Sequence, residues 1–245
     1  MPRYFIEVAY KGTNYAGFQI QDNANTIQAE VEKALAIYFR ENISLTGSSR
    51  TDAGVHARQN FFHFDSDELS TYIDLAKPVY HLNAILPYDV VVKSILLVQD
   101  NAHSRFDAIS RSYEYNIYQS KDPFLQNTAY FFPFNLNVQL LQQFATELIA
   151  HTEFEAFSKR STQVHTFNCS IYNSEWVVHS DGLIFQVTAN RFLRGMVKGL
   201  VGTMLKCAVK NNSLQQFQGI IKSKDPSKAD FSVPSHGLTL CKVNY

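Results

Sequence analysis

The run Gly47-Ser48-Ser49-Arg50-Thr51-Asp52-Ala53-Gly54-Val55-His56 places one carboxylate two positions after a fixed cation, among small side chains. Small residues permit a sharp turn and let a bulky ligand come close to the backbone. Arginine is charged at any physiological pH, and a guanidinium beside a carboxylate lowers the acid's pKa by about 1–3 units. If Arg50 lies beside it, Asp52 is held ionised and oriented, ready to act as a nucleophile or a base. Taken alone, Thr51-Asp52-Ala53-Gly54 also reads as a simple turn, in which the acid accepts local backbone hydrogen bonds and glycine supplies positive φ.

Hydropathy periodicity supplies the elements that must hold this loop. Arg3 to Tyr10 alternates as a strand, and Ile27, Val31, Leu35 and Tyr38 form a helical stripe behind an Asn25 or Thr26 cap. Ile43 to Thr46 and Gln59 to Phe64 read as strands, and a weaker helix is expected from Leu69 to about Leu82. Val90 to Val98 is an apolar, β-branched run suited to a well-buried strand. Tyr113 to Tyr118 begins a second series: a helix over Val138 to Ala150, a hairpin of Cys169 to His179 and Leu183 to Asn190 around Ser180-Asp181-Gly182, and a long helix over Phe192 to Val209. A helix over Leu214 to Lys222, a polar loop from Ser223 to Gly237 and a strand over Leu238 to Val243 complete it. Both series have the order β-α-β-β-α-β, which predicts an α+β protein of paired ferredoxin-like domains. The expected boundary divides 1–104, which carries the Asp52 loop, from 105–245. Gln99-Asp100-Asn101 is too short for a flexible linker, so a rigid interface is expected.

Composition bounds the partners. The 245 residues contain 22 Lys+Arg and 22 Asp+Glu, so a polyanion would need a local basic patch rather than overall charge. Lys11, Arg50, Arg58, Arg105, Arg111, Lys159, Arg160, Arg191, Arg194 and Lys198 are its candidates. Three cysteines, Cys169, Cys207 and Cys241, form neither a disulfide framework nor a zinc pattern and read as small buried hydrophobes. The eight histidines lack an i,i+4 pair with an accompanying glutamate, so no catalytic metal is expected. His56 would contact a ligand or buttress the Asp52 loop. No apolar stretch spans a bilayer and no signal region opens the chain, so a cytoplasmic protein is expected.

The string around Asp52 resembles the active-site loop of the TruA family of tRNA pseudouridine synthases. Further matches follow in family order: Tyr10 to Gln19, Thr26 to Leu35, Leu82 to Pro87, Arg105-Phe106-Asp107-Ala108, Arg111-Ser112-Tyr113-Glu114-Tyr115, and Ala189 to Val197. The resemblance covers nearly the whole chain. It implies two ferredoxin-like halves joined in one extended, mainly antiparallel sheet, with helices on one face and the active site in the interdomain cleft. It further implies a homodimer that grips the anticodon stem-loop of tRNA and isomerises uridine at positions 38, 39 and 40 without a cofactor.

That reaction breaks the N1–C1′ bond, turns the uracil while it is held, joins C5 to the sugar carbon and releases the C5 proton. Asp52 is the expected nucleophile, with attack at C1′, attack at C6 and proton removal at C2′ all open. A base in a stem must leave its stack to be reached. The resemblance assigns Arg50 to flipping the base or filling its space, and Tyr113 to stacking near the uracil and helping to remove the C5 proton. Lys198 stands where Phe-x-x-x-Met-Val-Arg would place arginine, which keeps a charge but loses the bidentate fork. Lys11, Arg58, Arg105, Arg111, Arg191 and Arg194, with Tyr113, are the expected substrate contacts. Phe18 replaces a tryptophan common in the family's first loop. Two other readings of the residues are a noncatalytic RNA-binding or tRNA-folding protein that keeps the fold, and a carboxylate-dependent hydrolase of nucleosides. The latter lacks an evident second carboxylate.

Overall fold

The computed structural model describes residues 1–159, 165–180 and 182–245. Arg160, a candidate for the basic patch, and Asp181 of the expected hairpin turn lie outside them. The protein mixes helix and sheet, with five α-helices among the described residues and mostly antiparallel strand pairing. It divides into two compact units, Met1–Ile109 with Leu240–Tyr245, and Ser110–Thr239.

The first unit runs β1 (Arg3–Tyr10), α1 (Ile27–Phe39), β2 (Thr46–Gly47), β3 (His56–Asp65), α2 (Ala76–Ile85) and β4 (Val90–Val98). Strand β1 pairs antiparallel with β3 on one side and β4 on the other, and β2 adds to β3. Helix α1 buries Ile27, Val31, Ala34, Leu35 and Phe39, and Thr26 caps it by accepting the Ala29 N–H. The helix expected from Leu69 is instead a 3₁₀ turn at Glu68–Thr71 followed by α2. Pro78 is the reason: it has no N–H to donate four residues back, and its ring crowds the Asp74 carbonyl, so a helix cannot run through. Asp74 accepts the Ala76 N–H and starts α2 afresh. The strand expected at Ile43 to Thr46 is a two-residue bridge at Thr46–Gly47, although Ile43 and Leu45 are buried. Strand β4 is not well buried. It ends the strand order in this unit, leaving Val91, Leu96 and Leu97 exposed, because an apolar run does not distinguish an edge strand from a central one.

The second unit contains β5 (Ser110–Tyr118), β6 (Tyr130–Phe131), α3 (Val138–Ile149), β7 (Ile171–His179), β8 (Gly182–Ala189), α4 (Met196–Val209) and α5 (Leu214–Lys222). The order is β5-β8-β7, with the short parallel β6 beside β5. Strand β9 (Leu238–Asn244) returns to the first unit, next to β3. Helix α4 begins four residues later than its apolar pattern suggests, because Gly195 sits at φ 73°. That left-handed backbone ends the preceding loop, and a Cβ there would lie 2.9 Å from the Lys159 side chain. Cys169 and Cys207 are buried, Cys241 is partly so, and none of the three forms a disulfide among the described residues. No described helix is long and apolar enough to cross a membrane.

Candidate active site

The Asp52 loop leads directly into β3 and is held along both sides. Phe18 N–H donates to the Thr51 carbonyl at 3.0 Å, Gly54 N–H to the Tyr15 carbonyl at 3.4 Å, and Val55 N–H to the Asp52 carbonyl at 3.1 Å. Gly17, at φ +100°, packs so close that a Cβ would lie 2.9 Å from the Thr51 carbonyl oxygen. Phe18 is core rather than surface: it stacks on Phe62 at 4.8 Å.

A buried polar network sits beneath. Thr51 Oγ1 and the Tyr10 hydroxyl are 2.8 Å apart, and Asn60 Nδ2 donates to that hydroxyl at 3.1 Å and to the Ser49 carbonyl at 3.0 Å. Ser48 Oγ donates to Asn60 Oδ1 at 2.8 Å. Burial pushes the Tyr10 phenol up to about 12, so the network is neutral at physiological pH. His56 is buried, and its Nδ1 accepts the Gly12 N–H at 3.0 Å, which makes it a strut between the first loop and the Asp52 loop.

Thr51 therefore points inward, while Asp52 is half-buried and Arg50 and Ala53 are exposed. Among the described residues the Asp52 carboxylate has no hydrogen-bond or ion-pair partner, and Arg50 does not pair with it. The carboxylate's position is set by the backbone, and Arg50 projects into solvent.

The register Tyr10↔Ala57 gathers Lys11, Arg58 and the Asp52 loop at one end of the β1–β3 pair, with Lys11 and Arg58 exposed. Arg105 is not brought there. It follows Ser104, whose N–H donates to His63 Nδ1, and His63 pairs with Phe5. Five residues of strand separate that level from Tyr10, roughly 17 Å.

The second unit carries the other candidates. Tyr113 on β5 meets the Phe192 ring edge-on at 5.2 Å. Arg111 is buried and donates to the Asn190 carbonyl at 3.0 Å, so part of its fork is committed to the loop after β8. Arg191 is half-buried and Arg194 exposed in that loop, where Asn190 Oδ1 accepts the N–H groups of Ser170 and Arg191 at 2.8 Å. Lys198 lies in the first turn of α4, and its Nζ donates to Ser235 Oγ at 3.2 Å. Ser235 opens a 3₁₀ turn whose preceding residue, Pro234, accepts the Tyr115 hydroxyl at 2.7 Å. Tyr113 and Tyr115, two residues apart, face the same side of β5. Tyr113 thus leans on the residues before α4, and Lys198 is tied to a turn that rests on Tyr115. His236, beside Ser235, is held below the usual imidazole range by burial first and by the Lys198 charge as well.

Ser235, Asn60 and Phe192 were not among the candidate site residues, although Phe192 lies in the Ala189 to Val197 motif. Asn60 had a signal, a polar residue among the apolar positions of a strand. Ser235 had none, since it lies 37 residues from Lys198. Among the described residues no group of three His, Cys, Asp or Glu is placed to hold a metal.

The structure thus sets one carboxylate on a locked loop, at the end of the β1–β3 pair that also carries Lys11 and Arg58, on a mixed helix and sheet fold. Residues 145–245 match the family described as tRNA pseudouridine synthase. Proteins named tRNA pseudouridine synthase A are similar over full length. That of Parabacteroides distasonis is 41% identical over 246 residues, covering 100% of this chain and 96% of the relative. That of Porphyromonas gingivalis is 38% identical over 247 residues (100% and 98%), and that of Staphylococcus aureus strain MRSA252 is 34% identical over 243 residues (98% and 91%). The chain belongs to the tRNA pseudouridine synthase A family.

Proposed function

We propose that the protein converts uridine to pseudouridine at positions 38, 39 and 40 in the anticodon stem-loop of tRNA, with Asp52 as the nucleophile. The observation that carries this reading is the backbone-locked loop that presents a carboxylate without a partner among the described residues beside an exposed arginine, in a chain similar to its relatives from end to end. Asp52 attacks the flipped nucleotide, the N1–C1′ bond breaks, the uracil turns and C5 bonds to C1′, and the bond to the Asp52 carboxylate breaks and the C5 proton is lost, which returns the free acid and pseudouridine. Arg50 takes the space left by the flipped base. Tyr113 stacks on the uracil and assists loss of the proton, and Lys198 supplies positive charge near Asp52. Lys11, Arg58, Arg105, Arg111, Arg191 and Arg194 contact the RNA.

No cofactor is needed, because bonds are exchanged within one nucleotide. Family membership supports two ferredoxin-like halves with helices on one face of an extended sheet, an interdomain catalytic cleft, a homodimer and a cytoplasmic setting. The test is tritium release from tRNA carrying 5-tritiated uridine, with Asp52→Asn compared at matched tRNA binding. Release by the wild type and none by the variant is the expected result. Binding by both without release by either would leave an RNA-binding protein.

A further inference from the structure

At the end of β1–β3 remote from Asp52, a series of rings runs from the core into solvent. Phe5 lies 6.4 Å from the His63 ring, His63 meets His103 at 4.5 Å and 61°, and His103 lies 4.3 Å from Phe106. Phe5 and His63 are 6% and 8% exposed, whereas Phe106 is 75% exposed. The Arg105 guanidinium carbon stands 5.8 Å from the Phe106 ring centroid.

The loop that carries this ring is already ordered. His103 Nδ1 accepts the N–H groups of Arg105 and Phe106 at 3.1 and 3.3 Å, and His103 N–H donates to Asp107 Oδ2 at 2.7 Å. Ser104 is fully buried: its hydroxyl donates to the Thr46 carbonyl at 2.8 Å, and its carbonyl accepts the Tyr245 hydroxyl at 2.7 Å. Burial, with the neighbouring His103 and Arg3, holds the His63 imidazole down at about 4, so that ring stays uncharged at physiological pH. Little entropy remains to be lost when a ligand meets Phe106.

We propose that Phe106 is a stacking platform for a base of the RNA substrate away from the reacting uridine, with Arg105 engaging the adjoining phosphate. The inference rests on the RNA-modifying reading above and adds a contact remote from the chemistry. A flat ring beside a guanidinium matches a base and its phosphate, since every base has a π-face and every nucleotide an anion. A level roughly 17 Å along the strands from Tyr10, at whose end the Asp52 loop enters β3, makes this a contact that sets affinity rather than the chemical step.

The experiment measures tRNA affinity across a salt series, and single-turnover tritium release at saturating tRNA, for the full chain and for Phe106→Ala, Phe106→Leu, Phe106→Trp and Arg105→Ala. Phe106→Ala and Phe106→Leu are expected to weaken binding about 5- to 100-fold with an unchanged salt slope, and Phe106→Trp to keep it. Arg105→Ala is expected to make the slope shallower by about one unit. Single-turnover rates at saturation stay at the wild-type value in the Phe106 variants. Wild-type affinity in Phe106→Ala overturns the proposal, as does full rescue by Phe106→Leu, which would indicate an apolar protein contact instead. Failure of the wild type itself to bind tRNA or release tritium would overturn the functional reading as well, and so separates the two failures.

Discussion

The Asp52 loop and the first turn of α4 both present a charged side chain, and they hold it in opposite ways. Asp52 has a short side chain with no partner among the described residues, so the backbone places it: hydrogen bonds from Phe18 and Gly54, the close approach of Gly17, and the Tyr10–Thr51–Asn60 network below. Lys198 has a long, flexible stem, and its ammonium is steadied by the Ser235 hydroxyl on a separate turn. A short side chain inherits the precision of its backbone, whereas a long one needs partners at its tip.

The largest expected effect comes from removing the group that the backbone presents. Asp52→Asn should lower kcat at least about 1,000-fold with an unchanged melting temperature, because the carboxylate supports nothing structural. A matching loss of stability would break the contrast.

Gly17→Ala comes next. It forces a Cβ into positive φ against the Thr51 carbonyl and should destabilise the protein by about 1–3 kcal/mol in thermal or urea melts, with a fall in kcat as the loop shifts. Normal stability and activity would mean that the loop is less locked than its geometry implies.

Ser235→Ala tests the other region. Loss of a hydrogen bond to a charged group should cut kcat by roughly 10-fold with little change in KM, and Ser235→Thr should retain activity. If Lys198→Ala lowers kcat and Ser235→Ala does not, the ammonium is placed by other contacts.

The smallest effect concerns pH. Burial depresses the His236 pKa in the fold, so its contribution to stability is complete above the ordinary imidazole value of about 6.5 and is lost as pH falls below it. The Ser235 turn should therefore loosen before the Asp52 loop does. Melting temperature followed from pH 7.5 down to pH 5 should fall less steeply in His236→Gln than in the wild type.

Much of this was legible in the chain. The strand at Arg3–Tyr10, the cap at Thr26, the helix at Leu214–Lys222 and the candidate acid at Asp52 all follow from signals within a few residues. The misreadings have different causes. Whether Val90–Val98 sits at the centre or the edge depends on which strands flank it, and local hydropathy does not carry that information. The break before α2 was readable from Pro78, whose missing donor outweighs the apolar pattern around it.

Local chemistry along the chain determined the elements, their order, the loop able to offer an acid beside a cation, and the family to which the chain belongs. Tertiary structure alone decided that Arg50 does not pair with Asp52, that Lys198 reaches Ser235 and that Arg105 lies a strand's length from the acid. These outcomes depend on pairings between residues tens of positions apart, chosen by burial and register over the whole fold, which no local window of sequence contains.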